Sequence, residues 1–367
     1  MARVKDWVAL ARSTIRSLEE KDVAGLYAFE WPEAKRSLIS EYEEEIAGEQ
    51  RKPVRWARFA SALVYGLAKR LTPQRRLLFA GSLLLTIGAL VVLLRQGVTF
   101  SSFLGLVGSY LVMMLLLALE LLDKLKFRDE LELARELQAA LIPEKIPALS
   151  GFDMHAYNQI ANLVGGDLYD FAPLHDGRMA VLFGDASGHG MSAGLVMAVA
   201  HASFRTQLDV DPQSEVIVGS LNRILCRTGG PRSFFAGVYL LLDSDGGFEV
   251  TVAGHPPVLV IDSSGRVIDR IGEGAYPLGI KNDVRWKSVR GHLAIGEMLV
   301  LYSDGLVESR SPGGTDYGFE RVEQVAGANA RGDSSDVVRA LVGDWQSFMG
   351  PLPIQDDLSI AVIRRVS

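Results

Sequence analysis

Two stretches of this chain lack any alternation of polar and apolar positions. Leu77–Leu94 is 18 residues without a charge, and Phe103–Leu122 is 20 residues whose single charge is Glu120. A helix of about 20 apolar residues spans the hydrocarbon core of a bilayer, so the pattern predicts a transmembrane hairpin over 77–122. Arg95–Ser102 is a short connection, which puts both outer ends on one side. The first span comes after 76 residues of chain, too far in for a secretory signal. Beyond the second span, Phe127, Leu131, Ala134, Gln138 and Leu141 recur at alternating steps of four and three. That stripe predicts a linker helix over 123–145, ended at Ile142 by Pro143. The stripe suits either pairing of two protomers or packing on the C-terminal domain.

After residue 150 the period shortens. Met179–Phe183, Phe235–Leu242, Phe248–Val252, Val258–Asp262, Val267–Ile271, Met298–Tyr302 and Leu358–Ile363 read as strands, with helices near 188–207, 213–227 and 333–348. Asp245-Gly246-Gly247 and Ser263–Arg266 sit between strand pairs as hairpin turns. Successive hairpins make antiparallel sheets and exclude a doubly wound parallel one. The expected organisation is a cytosolic helical and basic region over 1–76, the hairpin over 77–122 (spans 77–94 and 103–122), the linker over 123–145, and an α+β domain over 146–367.

Charge orients the hairpin. Residues 51–76 hold eight Lys/Arg and no acid, Lys124, Lys126 and Arg128 come after the second span, and Arg95 alone lies between the spans. Positive residues stay on the cytoplasmic side, so both termini and the C-terminal domain are expected in the cytoplasm, with the lipid bilayer as a partner. Residues 1–50 read as short helical segments with an acidic run, Glu41–Glu45, and carry no catalytic constellation. Residues 129–367 carry a net charge of −12, which disfavours nucleic-acid binding because phosphate would be repelled. One cysteine, Cys226, excludes an internal disulfide framework and reads as a lone buried thiol.

Acidic residues recur in one context. Asp167 follows Val-Gly-Gly, Asp185 follows a strand and Gly184, Asp304 follows another strand, and Asp356 and Asp357 precede the last. Carboxylates at strand ends on one rim converge, and massed like charge needs a cation. Oxygen donors without histidine or cysteine clusters suit Mg²⁺ or Mn²⁺. The segments GDASGHG and VGGD lack the spacing and lysine of a phosphate-binding P-loop. His255, in AGHPP, reads as a turn anchor. His155, His175, His201 and His292 have no motif context.

Ordered motifs then carry a resemblance. ELQAALIP (136–143), YNQIANLVGGDLYD (157–170), VLFGDASGHGMSAGLVMA (181–198), FFAGVYLLLD (234–243), AGHPPVLV (253–260), PLGI (277–280), GEMLVLYSDGLVESR (296–310) and DDLSIAVIR (356–364) together resemble the SpoIIE/RsbU-like branch of the metal-dependent PPM serine/threonine phosphatases. The resemblance implies an α-β-β-α sandwich of two antiparallel sheets flanked by helices, with two Mn²⁺ or Mg²⁺ ions. Asp185 would bridge them, the Ala186 carbonyl, Asp167, Asp304 and Asp356 would complete the ligand set, and Asp357 would stand behind it. Gly166 and Gly305 flank ligand positions. His189 is a tempting general acid whose spacing fits the family poorly. No phosphate-binding arginine can be placed. Gly237 and Ser359 replace a hydroxylated residue and a threonine.

The implied activity is hydrolysis of phosphoserine or phosphothreonine on a cytosolic signalling protein, of the STAS-type anti-anti-sigma or similar partner-switching kind, by a hydroxide held between the ions. A catalytically silent signalling or binding module of the same fold is the alternative, and the complete acidic set speaks against it. A two-metal phosphodiesterase or nuclease is disfavoured by the acidic domain. A homodimer through the linker helix is a further expectation, as is control of the Asp185–Ala186 loop by movement of that helix.

Overall fold

A computed structural model of the chain describes residues 51–367 apart from Pro231, Glu273 and Ala275. The readings made for residues 1–50 lie outside the described residues. The chain divides after Leu125 into two compact units.

In the first unit, helix α1 (Lys52–Arg70) carries Pro in its first turn, where a missing N–H costs nothing. Helix α2 (Pro73–Gln96) and helix α3 (Phe100–Ala139) are long and apolar enough to cross a membrane. The break between them is tighter than the eight residues expected. Gly97 takes φ +75°, and the Thr99 and Ser102 side chains each accept the other's backbone N–H, which starts α3 early. Small polar residues line the contact between the two spans. The Ser109 hydroxyl donates to the Ser82 carbonyl at 3.0 Å and pairs with the Thr86 hydroxyl. A Cβ on Gly105 would stand 2.9 Å from the Ala89 Cβ, so the backbones approach closely there. At the outer ends Arg75 bridges Glu120 at 2.8 Å and Asp123 at 2.7 Å. Leu84, Leu94, Phe103 and Leu117 point outward and are exposed.

The second unit is built on ten strands. One sheet has the order β1 (Phe152–Gln159), β10 (Leu358–Arg365), β9 (Met298–Tyr302), β6 (Val258–Ile261), β7 (Val267–Ile271). The other runs β2 (Leu168–Pro173), β3 (Met179–Ala186), β4 (Phe235–Leu242), β5 (Gly247–Ala253), β8 (Ser288–His292). All neighbours are antiparallel. Alternation along each strand fills the layers. Met179, Val181 and Phe183 of β3 face the inter-sheet core with Ala361 and Ile363 of β10. Ala180 and Leu182 face out under helices α4 (Met191–Leu208) and α5 (Ser214–Thr228). Ile360 and Val362 face out under helices α7 (Phe319–Ala328) and α8 (Ser334–Met349). A single turn, α6 (Asp304–Val307), follows β9. The architecture is the expected α-β-β-α sandwich, and burial on both faces explains why its inner strands β3, β4, β9 and β10 read as apolar runs.

Helix α4 is pinned to its sheet by an ion pair to a buried carboxylate. Asp170 on β2 accepts two hydrogen bonds from the Arg205 guanidinium and one from His201 at 2.9 Å. Burial alone would raise the Asp170 carboxyl, but His201 and Arg205 outweigh it and hold the group below the usual range.

Helix α3 ends at Ala139, three residues short of the expected stop at Ile142. Leu141 and Ile142 instead form tight turns onto the Gln138 and Ala139 carbonyls. A residue before proline is pushed out of the helical region, and here both side chains turn into the domain core. From residue 131 the stripe faces inward: Leu131, Ala134 and Leu141 are half-buried and Gln138 is buried, whereas Phe127 is exposed. Cys226 is half-buried rather than buried.

Candidate metal centre

Antiparallel pairing brings the acidic residues to one end of the sandwich. Asp167 immediately precedes β2 and Asp185 lies near the end of β3, with Leu168 opposite Gly184 in the register. Asp304 follows β9, and Asp356 and Asp357 precede β10, which pairs with β9. Each sheet therefore supplies carboxylates from one pair of neighbouring strands.

The loop 160–167, between β1 and β2, forms one wall. Asp357 holds it with both carboxylate oxygens, accepting the Ala161 N–H at 2.7 Å and the Gly166 N–H at 2.6 Å. The Gly166 carbonyl in turn accepts the Ala186 N–H at 3.2 Å. With its oxygens spent on backbone, Asp357 braces the loop. Gly166 has no room for a side chain: a Cβ there would lie 2.6 Å from Asp185 Oδ1 and 2.8 Å from the Ala186 carbonyl oxygen. Gly305 is equally constrained, since its Cβ would fall 1.9 Å from the Asp357 carbonyl oxygen. That close approach seats the first turn of α6 on the start of β10.

The electrostatics are those of crowded, half-hidden acids. Burial, then the Asp167, Asp304, Asp356 and Asp357 carboxylates, push the Asp185 carboxyl far above its usual range. Burial raises Asp167 strongly too; the Ser359 and Ser303 hydroxyls oppose the rise, and Asp357 and Asp304 add to it. Asp304 is raised to about 6 by burial, Asp356 and Glu308. Asp356 is raised by burial; the Asp357 N–H and the nearby His189 pull the other way, and the Asp357 charge adds to the rise. Among the described residues, no three Asp, Glu, His or Cys side chains form a finished chelate. The carboxylates interact at longer range instead.

The residues present nonetheless fit divalent ions. Asp167 Oδ2 is fully buried and has no hydrogen-bond partner, which is costly for a carboxylate unless something cationic faces it. Asp185 Oδ1 and the Ala186 carbonyl converge on the face of Gly166, where only hydrogen leaves room. The donors are all oxygens, the set hard divalent cations take.

Other expected residues fall into place around this rim. His189 is exposed on the loop before α4, and its carbonyl accepts the Ser192 hydroxyl. His255 is buried, its Nδ1–H donating to the Pro256 carbonyl at 2.9 Å and its ring edge-on to Phe183. Burial lowers it to about 4, which suits an anchor of the turn and not a proton carrier. Gly237 faces Gly184 across the β3–β4 ladder, and a Cβ there would strike the Phe235 ring. Sequence reading missed Ser303, whose hydroxyl receives the Ser359 N–H at 2.9 Å beside Asp167. It also missed Gln138 of α3. The Gln138 amide grips Gly165 from the far side of the loop: its Nε2 donates to the Gly165 carbonyl at 2.6 Å and its Oε1 accepts the Gly165 N–H at 2.9 Å. The linker helix thus reaches loop 160–167 through Gln138.

Residues 175–366 match the family described as Stage II sporulation protein E (SpoIIE). The chain is 24% identical over 244 residues to the phosphoserine phosphatase RsbU of Bacillus subtilis, covering 65% of this chain and 71% of that protein. It is 26% identical over 190 residues to the phosphoserine phosphatase RsbP of the same organism, covering 50% of this chain and 47% of RsbP. It is 26% identical over 268 residues to the protein IcfG of Synechocystis, covering 65% of this chain and 42% of IcfG. The chain therefore spans less than half the length of two of these relatives. Among solved structures, the PP2C domain of SiaA from Pseudomonas aeruginosa superposes with a TM-score of 0.60 at 19% identity, covering 66% of this chain and 98% of that domain. The phosphatase domain of SpoIIE from Bacillus subtilis, with a fragment of its regulatory domain, gives 0.50 at 19% identity, covering 58% and 63%. These likenesses show a PP2C-type fold.

Proposed function

The chain belongs to the SpoIIE family, and from that premise we propose that it is a membrane-tethered, metal-dependent phosphatase acting on phosphoserine or phosphothreonine of a cytosolic partner-switching protein. The observation that carries the reading is the unpartnered, buried Asp167 Oδ2 beside the Gly166 cradle formed by Asp185 Oδ1 and the Ala186 carbonyl. In this reading Asp167, Asp185, the Ala186 carbonyl, Asp304 and Asp356 hold two Mn²⁺ or Mg²⁺ ions. Such ions, when bound, acidify water to supply a nucleophile and offset charge on phosphoryl oxygens. The chain's own part is to fix that site. Asp185 faces both carboxylate pairs, Asp357 and Ala186 hold Gly166 in line, and the Ser303 and Ser359 hydroxyls lie beside the Asp167 carboxylate. In this reading His189, exposed and near Asp356, is the residue that would protonate a leaving serine oxygen.

The tethering half of the proposal has its own support. Two adjacent helices have mean hydropathies of 2.6 and 2.2 over their most apolar 18-residue windows, and the cationic residues concentrate at their outer ends. This reading puts residues 1–76 and 123–367 in the cytoplasm. RsbU and RsbP are named for phosphoserine, and that substrate class is proposed here by likeness.

The test is hydrolysis of a phosphoserine peptide by the purified full chain with excess Mn²⁺. Activity is expected with Mn²⁺, absent with chelator, and absent in Asp185→Asn. A wild-type protein that leaves the peptide untouched, or an Asp185→Asn protein that keeps its rate, overturns the proposal.

A further inference from the structure

We propose that Gln138 is a positioning residue for the candidate metal centre, and that its grip on Gly165 determines how tightly the site binds a divalent cation. This rests on the metal-site reading above. Loop 161–167 has no helix or strand of its own, so its shape depends on the packing of buried Val164 against Gly194 and on hydrogen bonds made to it from outside. Asp357 supplies two from one side, and Ala186 a third. Gln138 supplies two from the other side, engaging the N–H and the carbonyl of one residue, as a neighbouring strand would. The side chain is buried at 6% exposure with both ends of its amide satisfied, so the contact is geometrically specific.

Gly165 and Gly166 transmit that contact within two residues. A Cβ at Gly165 would lie 2.5 Å from Asp357 Oδ2 and 2.7 Å from Ile160 Cγ2, so the segment is wedged between the two supports. Gly166 abuts Asp185 Oδ1 and the Ala186 carbonyl, and Asp167 is the next residue. A shift of Gly165 therefore moves the Gly166 face and the Asp167 carboxylate away from the other oxygens. Gln138 touches none of the acidic residues itself; it acts through the backbone they depend on.

The experiment compares the full chain in detergent micelles with Gln138→Met, of similar length but without the amide, and with Gln138→Glu, which keeps the acceptor for the Gly165 N–H and loses the donor. Mn²⁺ binding is read by titration calorimetry, and amide hydrogen exchange is followed over 160–167. Losing two buried hydrogen bonds is expected to weaken Mn²⁺ binding about tenfold in Gln138→Met, and Gln138→Glu, which sets a carboxylate oxygen against the Gly165 carbonyl, is expected to lose at least as much. The Gly165 and Gly166 amides should exchange faster in both. Raising Mn²⁺ should restore kcat on the phosphopeptide without a change in KM. Wild-type Mn²⁺ affinity in both variants overturns the inference while leaving the phosphatase reading intact, as does exchange confined to other segments. A wild-type chain that binds no Mn²⁺ removes the metal centre, and the inference falls with it. Should Gln138→Met fail to fold, the Gln138→Glu protein decides on the same two readouts.

Discussion

Asp304→Asn should make the metal-free protein more stable and cancel most of the further stability that Mn²⁺ adds to the wild type. The folded-state carboxyl is raised to about 6 by burial, Asp356 and Glu308, against an ordinary value of about 3.9. The folded state holds this proton more tightly than the unfolded chain, so its stabilising effect is complete below about pH 4 and is lost as pH rises through about 6. At pH 7.5 the carboxylate is ionised in both states, and the fold carries a penalty of about 3 kcal/mol from a gap of about two units. Asparagine keeps the shape and removes that charge. For a domain of this size about 1 kcal/mol moves the melting temperature by about 2–4 °C, so the variant in chelator should melt up to about 10 °C higher. Mn²⁺ at a hundred times its dissociation constant should add about 2.7 kcal/mol to the wild type and little to the variant. The assay is thermal unfolding of the full chain in micelles by intrinsic fluorescence, at pH 5, 6 and 7.5, in chelator and in Mn²⁺. An Asp304→Asn protein that melts below wild type in chelator at pH 7.5 would refute the reasoning. So would a metal-free wild type whose melting ignores pH over this range.

Four further outcomes are expected. Asp185→Asn should lower phosphopeptide turnover by at least about a hundredfold, measured at saturating Mn²⁺, because a carboxylate reaching both pairs of acids is lost. Gly305→Ala should destabilise the domain by about 1–3 kcal/mol in denaturant titration, since its Cβ would meet the Asp357 carbonyl oxygen at 1.9 Å. Arg205→Met should cost about 1–3 kcal/mol in the same titration by leaving buried Asp170 with His201 alone, the half-exposed guanidinium being partly screened by solvent. In a Cys226→Ser background, Ala89→Cys with Gly105→Cys should cross-link within one chain under mild oxidation, read as a mobility shift reversed by reductant. Failure to cross-link would contradict the close approach of the two apolar helices.

What sequence could reveal depended on whether a residue's partner left a local trace. β4 and β9 were legible to the residue because buried strands concentrate apolar side chains between turn residues, and β7, mostly exposed, because the Ser263–Arg266 turn marks where it starts. β1 was not, because FDMHAYNQ sits at a sheet edge and is half-buried along nearly its whole length, leaving no alternation. β2 was hidden by Asp170, an acid inside an apolar run whose partners His201 and Arg205 lie 31 and 35 residues further on. The acidic site residues were visible because each stands at a strand end beside small residues. Their support was not: Ser303, Ser359 and Gln138 act on backbone or on Asp167 through contacts made only on folding. Gln138 did leave one trace, as the polar member of an otherwise apolar helical stripe. The same tertiary contacts explain why α3 ends early, since Leu141 and Ile142 gain more from the core than from one further helical turn.

The ion pair between Asp170 and Arg205 has a mechanical corollary. It rivets α4 to β2, so the short segment from Asp185 to Gly190 hangs between a strand in mid-sheet and a helix that cannot slide. Across from it, the 161–167 segment is held by hydrogen bonds and by buried Val164, which packs against Gly194 of α4. Both walls facing the acids therefore lean on the same riveted helix. A force, bound protein or inherited substitution that displaces α4 will register on both walls at once.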